Sequence, residues 1–358
     1  MNINSFIQKF GKYTFEKRPF DDVDAIILAE LSMISFETLL DKKGEICLKN
    51  IKISQLTPDI FYDSPDRSFN KKQLIEMTKS HRYKNIVVKN VKRIFSEENY
   101  NQFYAITIVL PNGDLYLSFR GTDITLVGWR EDFIMAQQDF YLGQHQAYDY
   151  TQEVISNCDS RFYLGGHSKG GNLAFYVALQ LNEKEAERLI YSYSFDGPGL
   201  RVPMKEFPGY QFVSDKMIKY RTFNNLIGAV FNQMKNYKVI HSTGLLLGGH
   251  DLYYWQINPK TGDFNYAKDV SFLSKRYTNR LMSWINSLPD SEKETATDAF
   301  FEIFKNCKTI YDLPTKAPIA LLNMKNVVNS YPKEDQEMLQ RNLKKLVEYL
   351  VRFDKIGN

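Results

Sequence analysis

Gly166-His167-Ser168-Lys169-Gly170 places a serine midway between two glycines, each two residues away. A serine hydroxyl is a weak nucleophile until a neighbouring base takes its proton. The G-x-S-x-G spacing is steric in origin: a sharp strand-to-helix turn lifts the hydroxyl clear of a sheet, and the glycines let adjacent backbone pass close by. The flanks agree with that reading. RFYLG (161–165) favours a strand, and NLAFYVALQL (172–181) favours a helix. A phosphate-binding glycine loop is excluded by residue type, because such a loop needs Lys and then Ser or Thr after its last glycine, whereas Gly171 and Asn172 follow Gly170.

A nucleophilic serine needs a base, and the chain holds five histidines. On a strand-turn-helix nucleophile the chain order is serine, acid, histidine. His81 and His145 precede Ser168; His167 adjoins it on a tight turn and is assigned to packing; His241 falls in or at the end of a strand. His250, flanked by Gly248-Gly249 and Asp251, is therefore the expected base. For the orienting group, Asp196 comes first, at the end of the strand-like LIYSYSF (189–195) and before Gly197-Pro198-Gly199; Asn225 is second and Asp251 third. An amide can hold an imidazole in place but does not offset its charge as a carboxylate does. Asp196 also fits a plain turn-forming role before Gly-Pro.

The developing oxyanion needs two donors. One is the backbone N–H of Lys169, directly after the serine. The other is expected from an earlier strand-to-helix loop, and Leu117-Ser118-Phe119-Arg120-Gly121-Thr122-Asp123 is such a loop. Trp129 and Asp132 follow in a helix-like segment able to buttress it, with a structural ion pair expected for Arg120 and Asp132.

These residues must be held by a sheet. QFYAITIVL and LYLSF flank the turn signal Pro111-Asn112-Gly113-Asp114, which predicts a hairpin over 102–120. From there strand-like and helix-like segments alternate, with MIKYRTF (217–223) and LYYWQI (252–257) as the last expected strands. Such alternation implies crossover units, hence an α/β fold with a mainly parallel central sheet flanked by helices. Upstream, 21–40 reads as a helix with acidic residues at its start, and 50–80 as a loop followed by a short helix. Downstream, Leu339, Leu343, Leu346, Val347 and Leu350 make 334–352 an amphipathic helix whose apolar face packs on the body. The expected division is an N-terminal helical and loop appendage at 1–85, a core at 86–265 and a helical C-terminal extension at 266–358. GLLLG at 244–248, beside His250, is read as ordinary core or as the lining of an acyl pocket, with core preferred.

Composition narrows the function classes. Over 358 residues, Lys+Arg 46 against Asp+Glu 42 gives a net charge of +4, too small and dispersed for nucleic acid. No apolar run approaches the roughly 18 residues of a membrane span, although peripheral contact is compatible with the sequence. The first twenty residues lack an apolar signal core, so a cytoplasmic location is expected. Cys47, Cys158 and Cys307 lie far apart, without disulfide or metal spacing. No metal or organic cofactor is expected.

FRGTDITLVGWREDF, GGHSKGGNLAFYVA, YSFDGPGL and HDLYYWQ, in that order, resemble the bacterial Mbeg-like proteins of the α/β-hydrolase superfamily over about residues 80–257. More distantly, the FRGT–Trp–Asp, GHSxGG and final-histidine pattern is similar to the class-three triacylglycerol lipases. The resemblance implies an α/β-hydrolase-like sheet between helices, Ser168 as nucleophile, His250 as base, and Thr122 with Lys169 shaping the oxyanion hole. It departs from the lipases where their acid precedes a small apolar pair: Asn225, before Leu226-Ile227, stands there. Lys169 stands where lipases carry leucine, and its charge is expected either to favour an anionic acyl substrate or to reach solvent.

The expected function is a serine ester hydrolase, lipase- or esterase-like, acting through an acyl-enzyme on a small-molecule or lipid acyl ester. A hydrolase-shaped interaction protein with a weak or vestigial site, and an acyltransferase, are the alternatives.

Overall fold

The computed structural model describes residues 1–351 apart from 226, 233, 245–246 and 313–323, with backbone alone at 247, 277, 284, 310 and 343–351. Nine strands form one sheet in chain order: β1 (Glu45–Cys47), β2 (Val87–Ser96), β3 (Asn101–Val109), β4 (Leu115–Phe119), β5 (Phe162–His167), β6 (Leu189–Phe195), β7 (Met217–Thr222), β8 (Lys238–Ile240) and β9 (Tyr266–Ala267). The hairpin stands as expected: β3 and β4 pair antiparallel about a turn in which Gly113 takes φ +87°. Strands β4 to β8 pair in parallel. The expectation of a mainly parallel sheet is corrected, because β1 to β4 and the β8–β9 edge are antiparallel. The connections β2–β3 and β3–β4 are too short for a crossover, so the chain must fold straight back.

Helices α1 (Ile3–Phe10), α2 (Asp22–Glu30) and α3 (Arg67–Lys79) precede the hairpin. Helices α4 (Leu126–Met135) and α5 (Leu142–Ile155) join β4 to β5; α6 (Lys169–Gln180) and α7 (Glu183–Arg188) join β5 to β6; the short α8 (Tyr210–Val213) lies between β6 and β7. Parallel strands added in sequence order by crossovers of one hand put every connecting helix on one face. The second face then needs another cover, because its residues are equally apolar. Two core clusters follow. One gathers α5 and α6 with Leu115, Leu117, Phe119, Phe162 and Leu164. The other gathers α1, α2 and α3 with Tyr116, Tyr163, Tyr193, Phe195 and Tyr220.

Residues from the first eighty thus form a layer of the fold. Helix α2 is capped by Asp21 and Asp24 in a reciprocal box and is buried along its length from Val23 to Glu30. Tyr116 Oη donates to Ala25 O at 2.8 Å and Ser118 Oγ to Ala29 O at 2.8 Å, tying β4 to it. The helix expected over 21–40 stops at Glu30, with a 3₁₀ turn to Met33. There the buried Arg120 guanidinium takes Ser32 O at 2.6 Å, a tertiary contact that offers the carbonyl a partner outside a helix.

Beyond β8, α9 (Leu247–His250) carries the candidate base. LYYWQI is not a strand: Leu252–Tyr254 is a 3₁₀ turn started by the Asp251 side chain, and only isolated bridges follow at Trp255 and Ile257. Of GLLLG, residues 245 and 246 and the Leu247 side chain lie outside the described residues. Helices α10 (Phe272–Ser287) and α11 (Asp290–Ile303) and a final helix, Lys333–Val351, follow. The final helix buries Met338 and Leu339 with Ala299 of α11; Leu343, Leu346, Val347 and Leu350 have no described side chains.

Candidate active site

Ser168 ends β5 and starts α6 with φ 56° and ψ −129°, a conformation that is strained for a residue with a Cβ. Its N–H is held by Phe195 O at 3.0 Å, and its carbonyl accepts from Gly171 N at 2.9 Å. The two motif glycines are required by contact: a Cβ on Gly166 would lie 2.3 Å from the Gly170 carbonyl carbon, and one on Gly170 would lie 2.1 Å from Phe119 O. The strand, turn and helix therefore close on each other only without side chains at these points.

His250 and Asp196 meet beside this turn. His250 Nδ1 lies 2.9 Å from Asp196 Oδ2, and the carboxylate is 1% exposed. A proton on Nδ1 is donated in a hydrogen bond to the carboxylate and stays on the ring, which leaves Nε2 as the basic nitrogen. Asp196 sits at the end of β6 with φ 52° and takes further hydrogen bonds from Thr222 N and Thr222 Oγ1, each at 3.2 Å, and one from Asn225 Nδ2. Burial pushes the Asp196 carboxyl up, but the hydrogen bond and charge of His250, with Asn225 and His167, outweigh it and hold the carboxyl below its ordinary range. Asn225 Nδ2 lies 3.0 Å from His250 Nδ1, so the first and second candidates sit together around one imidazole. Asp251, the third, turns away: its carboxylate starts the following 3₁₀ turn by accepting Tyr253 N at 2.8 Å. Beneath the acid, the buried Lys219 donates to Gly197 O and to Ser194 Oγ at 3.4 Å, and burial pushes its ammonium down to about 7.

No hydrogen bond joins Ser168 Oγ to the His250 ring among the described residues, a common state of hydrolytic sites without substrate. Proximity comes through His167, the residue before the serine. Its Nε2 lies 3.0 Å from His250 O, and the two rings stand 4.4 Å apart. His167 thus has the packing role expected of it. Burial, and then the neighbouring His250, push its imidazole down to about 3, against the pull of Asp196. A histidine held neutral binds fewer protons folded than unfolded between about 3 and 6.5, so its share of stability is complete above 6.5 and drains as pH falls toward 3. His167→Gln is expected to lose less stability than the parent between pH 7.5 and pH 5, read as the change in urea midpoint at the two pH values.

The candidate oxyanion loop also lies against the serine. A Cβ on Gly121 would lie 3.3 Å from Ser168 Cβ. Neither the Thr122 nor the Lys169 backbone N–H has an acceptor among the described residues. The Thr122 hydroxyl donates to both oxygens of Asp132, at 2.9 and 2.7 Å, which fixes the loop in the way expected of a buttress. Burial pushes the Asp132 carboxyl up to about 6, with Lys169 and the Thr122 hydroxyl opposing. The expected ion pair is corrected: Arg120 pairs with Asp63 at 2.7 Å and lies 3.6 Å from the Tyr104 ring, while Asp132 serves Thr122.

Lys169 also departs from expectation. It neither reaches solvent nor presents its charge to the site. It is 1% exposed, and its ammonium is taken by Glu131, Gln102 O and Gln102 Oε1, the last two at 2.8 Å. The side chain anchors α6 to α4 and β3, while its backbone N–H stays at the site. Removing one partner of such a buried pair strands the other charge, at a cost of about 3–5 kcal/mol. Lys169→Met is accordingly expected to lower the melting temperature by several degrees, and Lys169→Met/Glu131→Gln to recover part of that loss.

Ser168 opens on a cavity of about 360 Å³. Its walls combine Trp129 and Phe133 of α4 and Ile227, Val230 and Phe231 of the segment after Asn225 with side chains of α10, α11 and the final helix. These C-terminal residues escaped the sequence reading. The available signal was the spacing of Lys293, Ala296, Thr297 and Phe300, one face of a helix, but nothing local says which surface that face meets.

Among the described residues, no helix is long and apolar enough to cross a membrane, and no group of acidic, histidine or cysteine side chains is placed to hold a metal ion. No curated protein matches the sequence. Among solved structures, the crystal structure of M37 lipase is similar with a TM-score of 0.37 and 12% identity, over 60% of this chain and 70% of that one. At that level the likeness carries no argument about chemistry. The sequence model of the Mbeg1-like family matches residues 77–302, which include the hairpin, the Ser168 turn, Asp196, Asn225 and His250, and the chain belongs to that family.

Proposed function

We propose that this chain is a serine hydrolase that cleaves carboxylic esters of acyl or lipid type. Ser168 gives its proton to His250 Nε2 and attacks the ester carbonyl carbon. The oxyanion takes hydrogen bonds from the Thr122 and Lys169 backbone N–H groups. His250 returns the proton to the leaving alcohol, and the acyl group stays on Ser168. Water, deprotonated by the same imidazole, then releases the carboxylic acid and restores the serine. Asp196 holds the Nδ1 proton and balances the imidazolium charge, and Asn225 holds Asp196. The proposed division at 1–85, 86–265 and 266–358 gives the C-terminal part a share of the acyl pocket's wall.

One juxtaposition carries the reading: a serine in a strained turn, facing an apolar cavity, beside a histidine whose far nitrogen is bound to a buried carboxylate. A vestigial site would follow if Asn225 had replaced the acid, but Asp196 lies beside it and reaches the imidazole, which removes that ground. The test is hydrolysis of a p-nitrophenyl ester panel and its loss after treatment with a fluorophosphonate. Failure of every chain length to turn over between pH 6 and 9 contradicts the proposal.

A further inference from the structure

The cavity over Ser168 is apolar along most of its wall, with polar side chains among its lining. Its volume of about 360 Å³ suits a ligand of modest size. From α11, Lys293, Ala296, Thr297 and Phe300 line it, and Asn342 joins them from the final helix. Two of these groups hold unused hydrogen-bonding capacity. Asn342 is 2% exposed, and its Oδ1 has no partner among the described residues. Its Nδ2 donates to Glu292 Oε2 at 3.2 Å. A carboxylate accepts only from the NH₂ side of a carboxamide, so the free atom is the acceptor oxygen. Thr297, 6% exposed, accepts from Gln137 Nε2, and its hydroxyl hydrogen has no acceptor among the described residues.

Segment 132–137 touches both the serine loop and these polar groups. Asp132 is bound to Thr122 at the serine, and Gln137 is bound to Thr297. Asp132 lies in α4, and Gln137 lies in the turn just past its end. The polar groups therefore share one cavity with the serine and with the apolar side chains of its wall.

We infer that the cavity receives an acyl chain bearing a hydroxyl group, which donates to Asn342 Oδ1 and accepts from the Thr297 hydroxyl. The inference rests on the ester-hydrolase reading of the same site. An unsubstituted chain fills the apolar stretch but leaves a buried acceptor facing methylene, which is unfavourable. A site built to bond a substrate hydroxyl discriminates strongly against the analogue that lacks it. Thr297 lies inside the family-matched residues 77–302 and Asn342 outside them.

The experiment compares p-nitrophenyl esters of straight-chain acids of about six to twelve carbons with their terminally hydroxylated counterparts, using the full chain, Asn342→Leu and Thr297→Val. The expected result is a kcat/KM at least about tenfold higher for the hydroxylated ester at one chain length in the series. Asn342→Leu then removes or reverses the preference by raising activity on the plain ester, and Thr297→Val weakens it in a protein that still hydrolyses the plain ester. Equal activity on plain and hydroxylated esters at every length overturns the inference while the esterase reading stands. A preference that survives in both variants overturns it too. If no ester is cleaved and Ser168 takes no fluorophosphonate, the proposed function falls first and the inference with it.

Discussion

Ser168→Ala is expected to lower kcat/KM for ester hydrolysis by a factor on the order of 10⁴ or more, since the nucleophile and its base act as a unit. The fold should not change. The Ala side chain keeps the Cβ that the turn already accommodates, and Ser168 Oγ makes no hydrogen bond that the fold depends on among the described residues. A companion variant separates chemistry from strain. Ser168 holds φ 56°, where a side chain costs roughly 1–3 kcal/mol and glycine much less. Ser168→Gly is therefore expected to be as inactive as Ser168→Ala and more stable than the parent by about 1 kcal/mol. A gain in stability on loss of a side chain is what a turn strained for function produces, and a packing serine would not give it. Steady-state kinetics and thermal melting of the three proteins check both parts.

Asp196→Asn is expected to lower kcat by about 10³–10⁴ with little change in KM. The amide can still occupy the space, but it cannot balance the imidazolium, and its NH₂ group invites the wrong tautomer of His250. It also leaves Lys219 without the buried carboxylate whose charge opposes its desolvation. Asn225→Ala, by contrast, removes one of several hydrogen bonds to Asp196 and should cost only about tenfold, because Thr222 still holds the carboxylate. The ratio of the two losses assigns the acid. Equal losses would mean that Asn225 and Asp196 are inseparable in orienting the base, and a larger loss at Asn225 would reverse their roles.

What was legible from the residues is what local chemistry governs. The hairpin over 102–120 rests on a turn signal between two β-favouring runs, and both features are short-range. The turn at Ser168 rests on two glycines whose neighbours leave no room for a Cβ. The order serine, acid, histidine put the base at His250 and narrowed the acid to Asp196, Asn225 and Asp251, because parallel strands present their ends at one edge in chain order. Illegible features depend on contacts between distant segments. Lys169 looks exposed in a string of residues, and only the approach of α4 supplies Glu131 beside it. Arg120 finds Asp63 rather than Asp132 because the N-terminal layer covers that face of the sheet. The helix begun at Asp22 ends early because Arg120 takes a carbonyl just beyond it. The cavity wall from α10 and α11 is of the same kind, a docking of one helical face on another that periodicity announces without naming the partner.

The central claim is that the Ser168 hydroxyl is activated by His250. Incubation of the parent with a fluorophosphonate, followed by intact mass and peptide mapping, tests it most directly. One adduct per chain on Ser168, absent from His250→Ala, is the predicted result. An unmodified Ser168 under conditions that label a reference esterase, or labelling that persists undiminished in His250→Ala, would contradict it.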